Sequence, residues 1–340
     1  MNQSNGFLNK SLIIGYLMLF ITAGIFFPSS SYSANKKVVL YSSNKQSAID
    51  LTVNMFKQKY PDIEVSVVRA GSGALMKRIA AEKDNPLGDV FWSGGFGTLG
   101  AYKDYLAPYV SPESKGLQKQ FIEKNNLWTG VNVHVMVIMY NTKLVDKNEL
   151  PKKWTDLFDP KWKDKVVIGD PKTSSSAYLQ VYGLYKKFGE EGLSKLLKVA
   201  KELNDASAIY RGVGMGEYPL GITMEYSAYD YVAGGAKEIG LAYPEDGTFL
   251  SPEGVVLIKG SKNINEARLL YDFYCSKEAQ EALLKESFRR PTRSDIEIDK
   301  IVKLPSLKAI KIMEIDQEEA TKDFDTVTKL WDKIKKDLRR

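Results

Sequence analysis

Between residues 38 and 95, strand-length apolar runs alternate with helix-length segments, and this alternation restricts the fold more than any other feature of the chain. Val38-Val39-Leu40-Tyr41-Ser42 reads as a short buried strand. Residues 48–60 follow with Ile49, Leu51, Val53, Met55 and Phe56 at helical spacing, until Pro61-Asp62 breaks the helix. Ile63-Glu64-Val65-Ser66-Val67-Val68 makes a second strand. Gly71-Ser72-Gly73-Ala74 opens a helix carrying Leu75, Met76, Ile79 and Ala80, and Asp89-Val90-Phe91-Trp92 is a third strand. Strand, helix, strand, helix, strand predicts a parallel α/β sheet. In such sheets ligands bind outside the carboxyl ends of the strands.

Those three ends carry the same chemistry: Ser42-Ser43-Asn44, Gly71-Ser72-Gly73 and Ser93-Gly94-Gly95. Glycine lets the backbone approach a ligand, serine supplies a hydroxyl, and the following helix N-terminus offers unpaired N–H groups and a positive dipole end. For one loop alone, capping of the next helix explains the serine. Three in register at successive strand ends point to a polar, anionic ligand.

Residues 131–141 form a long apolar strand, able to cross from one lobe to another, with His134 at its middle as an interior or hinge histidine. Val166-Val167-Ile168-Gly169-Asp170 is a further strand, followed by Thr173-Ser174-Ser175-Ser176 at the opening of a helix. Capping needs one hydroxyl; four in succession predict an oxyanion cradle. Residues 218–224 read as a strand ending in Glu225-Tyr226-Ser227, where Glu225 is placed to accept hydrogen bonds from ligand hydroxyls or to pair with an ammonium. Its plainer reading is a surface carboxylate at a helix start. Residues 239–243 and 254–259 read as strands, split by Pro244-Glu245-Asp246-Gly247-Thr248, and 265–287 and 323–340 as helices. Phe288-Arg289-Arg290-Pro291-Thr292-Arg293 lies between these helices and reads as a solvated basic turn, its alternative being a phosphate contact above the cleft.

Composition sets the outer limits. The 340 residues hold one Cys and one His, which excludes a disulfide framework, a zinc finger and a Cys–Cys redox centre. A single core stops growing at roughly 250–300 residues, so two lobes are expected. Lys10, the apolar run 12–27 and Tyr32-Ser33-Ala34 have the n-region, h-region and cleavage-site pattern of a secretory signal. The run is at the short end for a membrane span of about 20 residues. Lys10 is the one charged residue among the first 34, so cleavage leaves 340 − 34 = 306 residues and takes the net charge from +6 to +5. No cysteine follows the h-region to carry a lipid, so the expectation is a soluble protein between two membranes. Cys275 falls in an amphipathic helix and reads as core packing.

Taken together, Val38-Val39-Leu40-Tyr41-Ser42, Gly88-Asp89-Val90-Phe91-Trp92-Ser93-Gly94-Gly95, Tyr140-Asn141-Thr142, Gly216-Glu217-Tyr218-Pro219-Leu220-Gly221 leading to Glu225-Tyr226, and Phe288-Arg289-Arg290-Pro291-Thr292-Arg293-Ser294-Asp295 resemble the periplasmic substrate-binding proteins of ABC importers, in the ferric-ion-binding (type II) family. The resemblance runs from about residue 36 to the last helices. It implies a type II periplasmic-binding-protein fold of class α/β: two lobes joined by crossover strands, with the ligand in the cleft. Lobe 1 would take 35–132 and 244–340, and lobe 2 would take 133–243, after a signal peptide at 1–34. It further implies no catalysis, no cofactor, no nucleic acid, a monomer, and delivery to an inner-membrane permease with its ATPase.

The chain departs from the iron-binding pattern. Iron-binding members hold ferric ion with adjacent tyrosines, often with a His from the first lobe; here Glu225-Tyr226-Ser227 replaces the second tyrosine, and Ser42-Ser43-Asn44-Lys45 has no His. Ferric iron wants hard anionic oxygen donors, and this set is thin. Other members of the family bind sugar phosphates or phosphonates, and the serine-rich loops with Glu225 resemble that branch more; the resemblance therefore implies a phosphorylated or phosphonate compound such as a sugar phosphate, with no bound metal and with ferric iron as the alternative. The binding residues are expected to be Ser42, Ser43, Gly71, Ser72, Gly73, Ser93, Gly94, Thr173, Ser174, Ser175, Ser176, Glu225 and Tyr226. An exported hydrolase lacks a Gly-x-Ser-x-Gly elbow here. A sensor that presents its closed form to a kinase uses the same lobes and stays open as a reading.

Overall fold

The computed structural model describes residues 36–338; the expected leader falls within 1–35, which with 339–340 lie outside the described residues. The predicted parallel sheet is present. β1 (Lys36–Ser42) pairs in parallel with both β2 (Ile63–Arg69) and β3 (Val90–Gly95), with α1 (Gln46–Lys59) and α2 (Ser72–Ala81) as the crossovers. Strand alternation sends Val38, Leu40, Val90 and Trp92 to one face, packed on Phe56 of α1. Tyr41 and Phe91 go to the other face, packed on Leu75, Met76 and Ile79 of α2. α3 (Phe96–Ala101) and the short β4 (Leu106–Ala107) close this region.

β5 (Thr129–Asn141) is the long strand expected from its apolar run, and it serves two sheets. In the second sheet it is joined by β6 (Val166–Gly169), β7 (Ala200–Leu203), β8 (Leu220–Met224) and β9 (Ile239–Ala242), with α4 (Ser175–Val199), α5 (Ala206–Gly214) and α6 (Glu225–Ala233) as the connections. Residues 136–141 of β5 pair with β8 and β9. Residues 129–135 pair instead with β10 (Thr248–Ile258), which lies antiparallel between β5 and β3. β10 thus starts earlier than the apolar pattern suggested. The strand order is β2-β1-β3-β10-β5-β8-β6-β7.

The helical segment 265–287 is two helices, α7 (Ile264–Cys275) and α8 (Lys277–Ser287). Ser276 interrupts them because its hydroxyl accepts the Ala279 N–H as an N-cap. Cys275 is fully buried, as its place in the apolar face implied. β11 (Arg290–Pro291) pairs with β5 at Val133 and Asn132. After β12 (Ile312–Met313) and α9 (Gln317–Lys322), α10 (Phe324–Leu338) sets Val327 and Trp331 into one core with Leu179 and Tyr182 of α4 and Ile222 of β8. The last helix therefore sits on the second sheet. The boundaries of the two lobes remain a proposal, with α10 seated there. No helix among the described residues is long and apolar enough to cross a membrane.

Candidate functional site

A cleft of about 400 Å³ opens where the strand ends of the two sheets face each other. Ser43, Asn44 and Lys45 after β1, Gly71 and Ser72 after β2, and Ser93 of β3 line one wall. Thr173 to Ser176 before and within α4, Asp205 and Ser207 at α5, and Tyr226 of α6 line the other. His134 of β5 and Glu253 of β10 reach the cleft from the crossing strands.

Five of the lining residues hold the same structural position. Lys45, Gly71, Ser174, Asp205 and Met224 are the N-cap residues of α1, α2, α4, α5 and α6. Each α-helix leaves its first N–H groups without an intrahelical partner and carries about half a positive charge at that end. Five such ends converge on one cavity, which makes its walls electropositive before any side-chain charge is counted.

Nine of the expected residues line the cleft: Ser43, Gly71, Ser72, Ser93, Thr173, Ser174, Ser175, Ser176 and Tyr226. The two hydroxyl-rich loops touch across it. The Ser72 hydroxyl accepts the Ser175 N–H at 2.9 Å, and the Gly73 N–H donates to the Thr173 carbonyl at 3.3 Å. Within the cradle, the Ser174 and Ser176 hydroxyls bond each other at 2.9 Å, and the Thr173 hydroxyl donates to the Asn204 carbonyl at 2.9 Å. Ser43 and Ser93 share a hydroxyl–hydroxyl bond on the opposite wall.

Four expected residues do not line the cleft. The Ser42 hydroxyl donates to the Trp92 carbonyl at 2.7 Å, tying the end of β1 to β3. Gly94 is turned at φ 82° to end β3, and Gly73 faces a smaller cavity behind the loops. Glu225 is the substantive correction. Its carboxylate is turned into the protein, where the Arg290 Nε and Nη2 donate to it at 2.6 and 2.8 Å and the Tyr243 hydroxyl also donates. In this structure Glu225 is buried and does not line the cleft.

The basic turn is also corrected. Arg289, Arg290 and Arg293 are 0%, 1% and 9% exposed, so none is solvated and none reaches over the cleft. Arg289 donates to Glu253 at 2.9 Å, lies 3.1 Å from His134 Nε2, and stacks 4.1 Å from the Tyr226 ring centre. Burial would raise the Glu253 carboxyl, but Arg289 and His134 outweigh it and hold the group at about 2. Burial pushes the His134 imidazole below its usual 6.5, against the pull of Glu253. Burial raises the Tyr226 and Tyr210 phenols, keeping both protonated at neutral pH.

Sequence reasoning missed Lys45, Asp205, Ser207, Tyr210 and Glu253 as lining residues. Lys45 stood next to a flagged loop, and Asp205 carried the sequence signature of an N-cap, its carboxylate accepting the Ser207 N–H at 2.8 Å. Nothing local announced Glu253, which is defined by partners far away in the chain. Among the described residues, no group of three or more His, Cys, Asp and Glu is placed to hold a metal ion.

Residues 85–323 match a family described as bacterial extracellular solute-binding protein. An uncharacterized protein of Haemophilus influenzae is 29% identical over 272 residues, which cover 76% of this chain and 78% of that relative. A candidate 2-aminoethylphosphonate-binding periplasmic protein of Salmonella typhi is 25% identical over 262 residues, covering 70% and 72%. The major ferric iron-binding protein of Neisseria meningitidis serogroup A is 25% identical over 310 residues, covering 84% and 91%. Among solved structures, the periplasmic binding protein AfuA from Actinobacillus pleuropneumoniae, with exogenous fructose-6-phosphate bound, superposes with a TM-score of 0.82 at 27% identity, covering 88% of this chain and 98% of that one.

Proposed function

The chain belongs to the bacterial extracellular solute-binding protein family, the periplasmic binding components of ABC importers, and from that premise we propose that its cleft captures a small phosphorylated or phosphonate compound. The observation that carries this reading is the convergence of five helix N-termini on one hydroxyl-lined cavity. Helix-start N–H groups and serine hydroxyls are the donors a tetrahedral oxyanion takes, and the helix ends add favourable charge; those at α2, α4 and α5 that bond loop atoms here would exchange those bonds for ligand oxygens. The fructose-6-phosphate in AfuA and the phosphonate named for the Salmonella relative support the same ligand class.

The iron reading rests on the Neisseria relative and on Tyr210, Tyr226 and Glu253 lining one cavity. Three facts weigh against it. Both phenols are held protonated by burial, Glu253 is neutralised by Arg289, and an electropositive wall disfavours a trivalent cation.

With Glu225 turned away, Asp205 is the exposed carboxylate of the cleft, and it would meet a hydroxyl or ammonium of the ligand only by giving up part of its present bonds to Ser207 and Arg211. Binding works by hinge closure about β5 and β10. A ligand that touches both walls favours the state in which they approach, and the permease reads that state. No catalytic step is involved.

A thermal-shift panel on the purified protein, freed of bound ligand by unfolding and refolding, tests the reading. The probes are hexose phosphates, glycerol phosphates, 2-aminoethylphosphonate, inorganic phosphate and ferric citrate. A ligand at about 100 times its Kd stabilises the native state by roughly 2.7 kcal/mol. A shift with an organophosphate or phosphonate is expected; a shift with ferric citrate alone overturns the proposal.

A further inference from the structure

We propose that Lys45 is the residue that sets the charge of the accepted ligand: its ammonium contacts the ligand's anionic group and bars a metal cation from the two tyrosines behind it. The proposal deepens the anion-binding reading above and rests on it.

Two cations line the cleft, Lys45 and Arg69. Arg69 is largely exposed, with its Nε given to the Asn44 carbonyl at 2.9 Å. Lys45 reaches further in, its side chain 19% exposed. The Lys45 ammonium lies 4.5 Å from the Tyr210 ring centre and 5.7 Å from that of Tyr226. Those are the two tyrosines of the cleft wall, so the ammonium sets a positive charge over both rings, which a hard metal ion brought to these side chains would meet. A fixed positive charge there repels such an ion and attracts an oxyanion.

The partner of Lys45 does not cancel this role. Asp230 on α6 accepts one hydrogen bond at 2.8 Å but is 49% exposed, so water screens its charge. An ammonium has three N–H donors, and the other two remain for ligand oxygens. Lys45 comes from the loop after β1 and Asp230 from α6, and this one exposed pair leaves the ammonium at the cleft lining. Burial lowers the pKa of Lys45 from 10.5 against the support of Asp230, as expected for a partly desolvated cation that gains from a second anionic partner.

The experiment compares wild type with Lys45→Met, Lys45→Arg and Asp230→Asn, by titration with 2-aminoethylphosphonate, glucose 6-phosphate and ferric citrate. Circular dichroism and unliganded melting serve as the folding controls. Lys45→Met should weaken the phosphorylated or phosphonate probe that wild type binds by roughly tenfold or more. Lys45→Arg and Asp230→Asn, which keep the cation, should stay within about threefold of wild type by the same reasoning. Wild-type affinity in folded Lys45→Met overturns the inference and leaves the anion-binding reading intact. Equal losses in Lys45→Met and Asp230→Asn also overturn it, because the ion pair rather than ligand contact would then carry the effect. Wild type that binds ferric citrate and no phosphorus compound overturns both.

Discussion

His134 is the single histidine of the chain, and its surroundings turn it into a reporter of the cleft floor. It is 6% exposed, pairs with Ser251 across β5 and β10, and faces Arg289 on one side and Glu253 on the other. Burial lowers its pKa, so in the folded protein it resists protonation that the unfolded chain accepts at 6.5. The unfolded state then binds more protons in that range, and stability is fully present above pH 6.5 and falls as pH drops toward the folded value. Glu253, at about 2, adds stability that is present above the ordinary 4.5 and is lost only as pH falls toward 2, so it does not interfere in the upper window. The single imidazole resonance should therefore show no titration near 6.5, and the denaturant midpoint should be lower at pH 5.5 than at 7.5. An imidazole that titrates at or above 6.5 would contradict the buried, neutral assignment. The sequence placed His134 in the interior, yet it gave no hint of its partners: Arg289 is 155 residues away.

At the scale of elements, consecutive arginines serve different parts of the structure. Side chains of an extended segment alternate, so Arg289 turns to Glu253 of β10 while Arg290 turns to Glu225 at the start of α6. The same rotation logic explains the misreading of Glu225. It follows β8 at the strand end where ligand residues gather, but successive helix residues are turned by about 100°, so Tyr226 faces the cleft and Glu225 faces Arg290. Strand ends and hydroxyl-rich loops were legible because they are local patterns; the direction of one side chain there was not. Glu225→Gln leaves a buried, unbalanced guanidinium and should cost about 3–5 kcal/mol in a denaturant titration. Below the transition, affinity for the phosphorus ligand should stay within about threefold of wild type, since Glu225 does not line the cleft. Lost binding with unchanged stability would restore Glu225 as a ligand group.

For the molecule as a whole, the fold was readable from alternating strand and helix periods, whereas the closeness of the two walls was not. That closeness depends on two glycines at one crossing point, Gly71, where a Cβ would lie 2.9 Å from the Thr173 carbonyl oxygen, and Gly73, where the fit is tighter. A Cβ on Gly73 would lie 2.4 Å from the Lys172 carbonyl oxygen and 3.3 Å from the Thr173 Cα, both backbone atoms that cannot rotate away. Gly73 is also in the first turn of α2, where alanine is a better helix former than glycine by up to about 1 kcal/mol. Gly73→Ala therefore acts with opposite signs on the two states of a hinge. It supports α2 in both, but it forces apart the loops that meet through Ser72–Ser175 and Gly73–Thr173 only when the walls approach. The unliganded protein should melt at or slightly above the wild-type temperature, while ligand affinity drops by roughly tenfold or more, the equivalent of about 1.4 kcal/mol charged to closure. Small-angle scattering at saturating ligand should give a larger radius of gyration than for wild type. Wild-type affinity and compactness together would mean that the liganded form does not bring these loops together, and closure as the recognition step would have to be given up.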